Sequence, residues 1–568
     1  MFKRYHRYEE LTAHLQTLAA AHPDIFRLTS LGQSYQGREI WCMEVTRRET
    51  GPPDHKPAVW VDGNIHATEF SASSACLHLL RTFAERDGKD RAVTLVLDTR
   101  TYYVVPRVNP DGAEWALQDH PVYLRSSVRP YPYDEEPIDG LQAEDVDGDG
   151  RILMMRIEDS NGAWTVHPDE PRLMVRREPG DLEGPFYRLM PEGRLLGDYD
   201  GAILEAAPRK EKLDLNRNFP SGWRTESEQP GAGPFPGSEP ETRAVVQFIS
   251  SHPNICHALT FHTYSGVLLR PYSTKPDEKF PAEDLWLYEY FGNKGTELTG
   301  YPALSIYHDF RYHPEETITG AFDDWVYDHL GVLAWTVEIW SPHRQAGITK
   351  GFDRETKRGG YRFIDWWRQH PVEEDLALLR WNDEVLEGAA FENWRAFTHP
   401  QLGEVEIGGW DFMYAFRNPP PRLLERELEP LTEWVLWHGL TTPRLAVLRQ
   451  KVTRLGDESW RLELVIENRG WLATTVTKKA EQRKIPRPIQ VELKLPEGVE
   501  LAVGKLRTEA GQLQGKAHLP TSPVRLQADG TPDRVRLEWV VRGRAGVAVE
   551  VTIAHDRAGR LSRKLSLD

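Results

Sequence analysis

A chain of 568 residues has room for two or more domains and a large core. Its 70 lysines and arginines against 86 aspartates and glutamates give a net charge of -16, which argues against a nucleic-acid partner because no basic stripe is left to neutralise phosphates. No stretch is long and apolar enough to span a bilayer.

The three cysteines, Cys42, Cys76 and Cys256, are odd in number, widely spaced and set in apolar stretches. They read as reduced core residues of a cytoplasmic protein rather than a disulfide frame. The basic start, Met1-Phe2-Lys3-Arg4, is followed by no apolar run and does not read as a secretory signal.

Residues 5–21 place Leu11, Leu15 and Leu18 on one helical face. Ile25 to Val45 alternates as two strands. Ala58-Val59-Trp60-Val61 is a short apolar strand, Gly63-Asn64 a tight turn, and Phe70 to Arg81 an amphipathic helix. Arg91 to Val105 is apolar and β-branched and reads as a strand ending in the turn Asn109-Pro110-Asp111-Gly112. Residues from about 130 to 210 are rich in Pro, Gly and charge, and read as a long inserted loop. Helices are expected over Glu239–Ser250, Ala282–Leu298, Thr319–Leu330, 372–388 and 421–438. Strands are expected over His257–Thr263 and Val332–Ile339. Strands alternating with helices predict an α/β unit over residues 1–440 with a mixed or parallel sheet covered on both faces. From 445 to 568 the texture becomes short alternating strands between Gly/Pro turns, an all-β sandwich of accessory role. No candidate site residue lies beyond 440, so this second unit is expected to be separable.

Chemistry collects around Gly63-Asn64-Ile65-His66-Ala67-Thr68-Glu69. A strand, a tight turn and a helix put His66 and Glu69 at the carboxyl end of the strand, where open α/β sheets build their sites. The spacing alone is common: His6 and Glu9, His167 and Glu170, and His313 and Glu316 share it. The later residues distinguish this pair. His262 ends a second strand, and Glu338 stands inside a strongly apolar third, where an unpartnered carboxylate is costly. Two histidines and one glutamate leave a zinc position open, as catalytic sites do. A further carboxylate there can take the proton from a zinc-bound water. Arg217 can pair bidentately with a carboxylate, with Asn216 as a further donor. Separately, Asp145, Asp147 and Asp149 alternate ahead of Gly150 like half a calcium loop, but the twelfth position is Arg156 where Glu is needed.

Taken together, His66-Ala67-Thr68-Glu69, Asn109-Pro110-Asp111-Gly112, Asn216-Arg217-Asn218, His262-Thr263-Tyr264 and Thr336-Val337-Glu338 resemble the zinc metallocarboxypeptidases of the carboxypeptidase A/B family. The resemblance spans roughly residues 5–440. It implies a carboxypeptidase-like α/β sandwich with a mixed central sheet, peptide substrates, zinc on His66, Glu69 and His262, and Glu338 as general base. It implies a terminal carboxylate on Asn216 and Arg217, and an oxyanion-stabilising arginine that is either Arg125 or Arg129. A capping tyrosine is expected, Tyr312 being the nearest candidate and Tyr307 the next. Asp323, just before Asp324-Trp325, takes the place at the base of the side-chain pocket. That predicts a preference for C-terminal Lys or Arg, unless Asp323 instead caps the helix that follows. The rival readings are a zinc amidohydrolase on acylated amino acids or cell-wall peptides, and a catalytically silent binding protein on the same scaffold.

Overall fold

The computed structural model describes residues 2–132, 139–313, 315–349, 363–518 and 530–568. Eight strands form the central sheet: β1 (Phe26–Gln33), β2 (Glu39–Val45), β3 (Ala58–Gly63), β4 (Thr101–Val105), β5 (Ile255–Thr263), β6 (Val267–Arg270), β7 (Ala303–Ser305) and β8 (Leu333–Ile339). Their order is β1-β2-β4-β3-β5-β8-β6-β7. The middle four, β4-β3-β5-β8, run parallel, and β2 and β6 flank them antiparallel. The sheet is therefore mixed, as expected.

The parallel strands are the apolar ones. Every residue of β3, β4 and β5 is buried, because helices cover both faces of a parallel sheet. On β8 the one residue not fully buried is Glu338. Helix α1 (Phe70–Arg86) leaves the end of β3 through a turn in which Asn64 adopts φ 59° and its side chain donates to the His66 carbonyl. Gly63 makes that reversal possible, since a Cβ there would stand 2.7 Å from the Ala72 carbonyl oxygen.

Two expectations need correcting. Arg91 to Val105 is not one strand: Arg91–Thr99 is a helix, with Asp90 accepting the N–H groups of Ala92 and Val93, and only Thr101–Val105 is β4. Val93, Val96 and Leu97 form the buried face of that helix, a helical period that the β-branched composition hides. The region 130–210, of which 133–138 lie outside the described residues, is not simply a loop. It supplies strands Met154–Glu158, Trp164–Val166, Met174–Arg176 and Tyr187–Pro191 to a six-stranded sheet completed by Phe391–His399 and Gly403–Trp410. A small core holds it, including Leu153, Met155, Val405 and Ile407. These strands are short and their partners are far away in sequence (Met155 opposite Ile407), so local alternation does not reveal them.

The described residues between 445 and 567 form two four-stranded sheets around their own apolar core, which holds Leu462, Leu464, Ile466, Val549, Val551 and Ile553. This unit is fastened to helix α2 (Phe322–Leu330). Buried Arg557 donates to the carbonyls of Leu330, Gly331 and Thr475, and Thr477 Oγ1 donates to the Gly331 carbonyl at 2.7 Å. All three cysteines are buried and free.

Candidate active site

The carboxyl ends of β3, β5 and β8 meet at one point. His66 Nδ1 lies 3.0 Å from Glu69 Oε1, and His262 Nδ1 lies 3.1 Å from both His66 Nδ1 and Glu69 Oε2. All three side chains are buried. The far nitrogens explain which way the lone pairs face. His66 Nε2 lies 3.2 Å from Asp214 Oδ1. His262 Nε2 lies 3.3 Å from Thr260 Oγ1, whose hydroxyl hydrogen is directed to Asp62 at 2.7 Å. Each imidazole therefore gives its Nε2–H away and turns an Nδ1 lone pair toward the carboxylate. Three acceptor atoms converge with no donor between them, and Glu69 Oε2 is buried without a hydrogen-bond partner. Such a set fits a divalent metal of zinc's preferences, with an open position left over.

Glu338 sits next to His262, its register partner across β5 and β8. Burial pushes its carboxyl up to about 7, against the pull of His262 and with a push from Glu69. Arg125 donates from Nε to Asp214 at 3.0 Å, and its Nη1 lies 3.8 Å from Glu69. Burial favours protonation of Asp214, but Arg125 and Arg217 outweigh it and hold the carboxyl well below the usual range. Arg129 goes elsewhere: it makes a two-bond pair, 2.9 and 2.6 Å, with buried Glu239. Of the two arginines, Arg125 alone lines the cavity at Glu338.

Asn216 and Arg217 lie on a short turn, Leu215–Arg217, whose start is capped by Asp214. Asn216 Oδ1 accepts the Phe322 N–H at 2.8 Å, which fixes its amide against the start of α2. Gly320 presses on the same turn, since a Cβ there would come within 2.0 Å of the Arg217 carbonyl oxygen. Tyr312 lines the cavity and is exposed, whereas Tyr307 packs under the Arg311 guanidinium. Asp323 is buried in the first turn of α2, where its carboxylate accepts from Thr336 Oγ1 at 3.2 Å and from the Asp324 N–H at 3.0 Å. It is not the cap of that helix, a place held by Ala321. The aspartate loop also reads differently in three dimensions. Asp145, Asp147 and Asp149 bring oxygens within 4.8 Å of one another. Asp145 nevertheless accepts the Gly148 and Gly150 N–H groups, Asp147 pairs with Arg395, and Asp149 pairs with Arg151. Calcium finds no support there, because arginines already neutralise two of the three carboxylates.

The zinc carboxypeptidase family matches residues 11–138 and 198–355, together just over half of the chain. The chain belongs to that family. Rat carboxypeptidase A2 is 24% identical over 337 residues, covering 58% of this chain and 61% of the relative. Bovine carboxypeptidase B is 24% identical over 349 residues, covering 60% and 63%. The chain thus spans about three fifths of the length of these curated relatives. Among solved structures, thrombin activatable fibrinolysis inhibitor is similar at 20% identity, covering 60% of this chain and 69% of that one, with a TM-score of 0.38. Residues 444–566 match a domain of unknown function (DUF8731).

Two residues of this zinc carboxypeptidase site were not singled out from sequence. Asp214 was within reach, two places before Asn216, as the partner a metal-bound histidine needs. Arg417, which lines the same cavity, had no signal, because it lies far beyond Glu338 and outside the family-matched segments.

Proposed function

We propose that this chain is a metallocarboxypeptidase that hydrolyses the C-terminal peptide bond of peptides. The observation that carries the reading is Glu338, a carboxyl in register with His262 on the neighbouring strand, beside a cluster of inward-facing metal-ligand atoms. A bound zinc supplies Lewis acidity, polarising the scissile carbonyl and making water a stronger acid. Glu338 takes a proton from the attacking water and returns it to the departing amine. Arg125, held by Asp214 through Nε, presents its remaining N–H groups to the oxyanion. Asn216 and Arg217 take the terminal carboxylate. Tyr312 is the capping candidate, since it lines the cavity from an exposed position. A reducing, cytoplasmic location belongs to the same proposal and rests on the three free cysteines.

The basic side-chain preference assigned to Asp323 is the finer part. Its two accepted hydrogen bonds and its burial weigh against a free counter-ion at a pocket floor. Matched peptides ending in Lys, Arg, Phe, Leu and Glu test it by relative kcat/KM. The reaction class is tested by amidating the C-terminus. A carboxypeptidase loses nearly all cleavage, whereas equal rates on free and amidated peptides favour an amidohydrolase or an endopeptidase.

A further inference from the structure

The cavity beside Glu338 encloses about 370 Å³. Glu69, Arg125, Glu338, Trp366, Trp367 and Arg417 all line it, and neither Asn216 nor Arg217 does. Trp366, Trp367 and Arg417 all lie outside the family-matched segments.

Arg417 is held firmly. It ends the turn Phe412–Arg417, and the next residue, Asn418, donates to the Thr68 carbonyl at 2.8 Å and accepts the Ser71 N–H at 3.0 Å. Those bonds lock the turn onto the start of α1, on either side of Glu69. The Arg417 guanidinium donates from Nη1 to the Thr263 carbonyl at 3.1 Å and lies over the rings of Tyr264 and Phe412. Its Nε is buried without a hydrogen-bond partner. The nearest carboxylate is Glu69, at 3.6 Å, and that carboxylate belongs to the metal-ligand cluster. Arg129 has Glu239 and Arg125 has Asp214, but among the described residues Arg417 has no carboxylate of its own.

We propose that Arg417 makes this cavity an anion-binding subsite for the substrate residue on the acyl side of the scissile bond, so that Asp or Glu is preferred there. The inference rests on the carboxypeptidase reading. With the terminal carboxylate on Asn216 and Arg217, which do not line the cavity, the cavity at Glu338 receives the preceding residue. A carboxylate gains charge-assisted hydrogen bonds from a partly dehydrated guanidinium. A lysine would set a like charge against Arg417 and Arg125, which disfavours it more than a neutral residue.

The test uses the zinc-loaded full chain and peptides identical except for Glu, Gln or Lys next to the C-terminal residue. The expected kcat/KM for Glu exceeds that for Gln by about tenfold, the effect of one charge-assisted bond, and Lys is poorest. Arg417→Gln, with zinc content measured alongside, should bring Glu and Gln within about twofold of each other. Arg417→Lys should keep part of the preference, because the charge remains while the planar fork is lost. Equal turnover of the Glu and Gln peptides by the unaltered chain overturns the proposal, even though it leaves a carboxypeptidase. So does a full Glu preference in zinc-replete Arg417→Gln. If no peptide is hydrolysed, the carboxypeptidase reading fails separately, and calorimetric binding of the same peptides decides the subsite: tighter Glu binding that Arg417→Gln abolishes supports it, and equal binding of Glu and Gln refutes it.

Discussion

His262 and Glu338 are register partners on neighbouring parallel strands, so their side chains emerge at the same level of the sheet. That relationship fixes the distance between the proposed metal ligand and the carboxyl proposed to move the proton, and it does so through backbone hydrogen bonds rather than a loop. Glu338→Gln should keep the fold and the metal, because the amide has nearly the same shape. It should lower kcat by at least about a hundredfold, since the amide cannot accept the proton. Turnover near that of the unaltered chain would make Glu338 structural.

A second prediction concerns Asp214, which binds His66 Nε2 on one side and Arg125 on the other. Asp214→Asn can turn an N–H toward the imidazole and favour the wrong tautomer. Zinc affinity, measured by chelator competition, should fall by about 10- to 100-fold, the usual cost of losing such a partner. Asp214→Glu should not rescue it fully, because Asp214 also accepts the Asn216 N–H at 2.9 Å. Unchanged affinity in Asp214→Asn would show that the carboxylate does not set the tautomer.

How much of this was legible depends on whether a residue speaks locally. His66 and Glu69 announce themselves through a strand, a turn and a helix in one short run. His262 and Glu338 do so as polar residues at the ends of apolar strands. The central sheet was readable for the same reason, because its buried strands are continuous apolar runs. Arg417 was not readable, since its place depends on Asn418 docking on Thr68 and Ser71 far earlier in the chain. The sheet built from 154–191 and 391–410 is not legible because its strands between 154 and 191 are short and partly exposed, and their pairing with Gly403–Trp410 is long-range.

The C-terminal unit looked separable from sequence, and its contacts predict otherwise. Arg557 is 2% exposed and satisfies carbonyls at the end of α2, the helix whose first N–H, that of Phe322, holds Asn216. Arg557→Met should lower the unfolding free energy by about 3 kcal/mol, because several buried acceptors lose their donor. A chain ending near 440 should melt lower still or aggregate. Equal melting temperatures for the full chain and Arg557→Met would show the contact to be incidental.

A pH prediction follows from Glu241, which is 1% exposed and accepts the Tyr35 N–H at 2.8 Å, while Oε2 is buried without a partner. Burial pushes this carboxyl up to about 7. In the unfolded chain it ionises near 4.3, so between those values the folded state holds the extra proton. The stability this contributes is complete below about pH 4.3 and is lost as pH rises through about 7, a change of roughly 4 kcal/mol. Glu241→Gln should flatten that part of the curve and melt higher at pH 8. An unchanged pH slope in the variant would locate the titration elsewhere.

In the proposed mechanism, one metal on His66, Glu69 and His262 enables C-terminal hydrolysis. Its most direct test is a zinc titration of the metal-stripped chain, followed by release of the C-terminal amino acid from a peptide with a free carboxylate. The expected result is no release without metal, a linear rise to a plateau at about one zinc per chain, and no such plateau for His66→Ala. Full release by the stripped chain, or an undiminished plateau in His66→Ala, would contradict it.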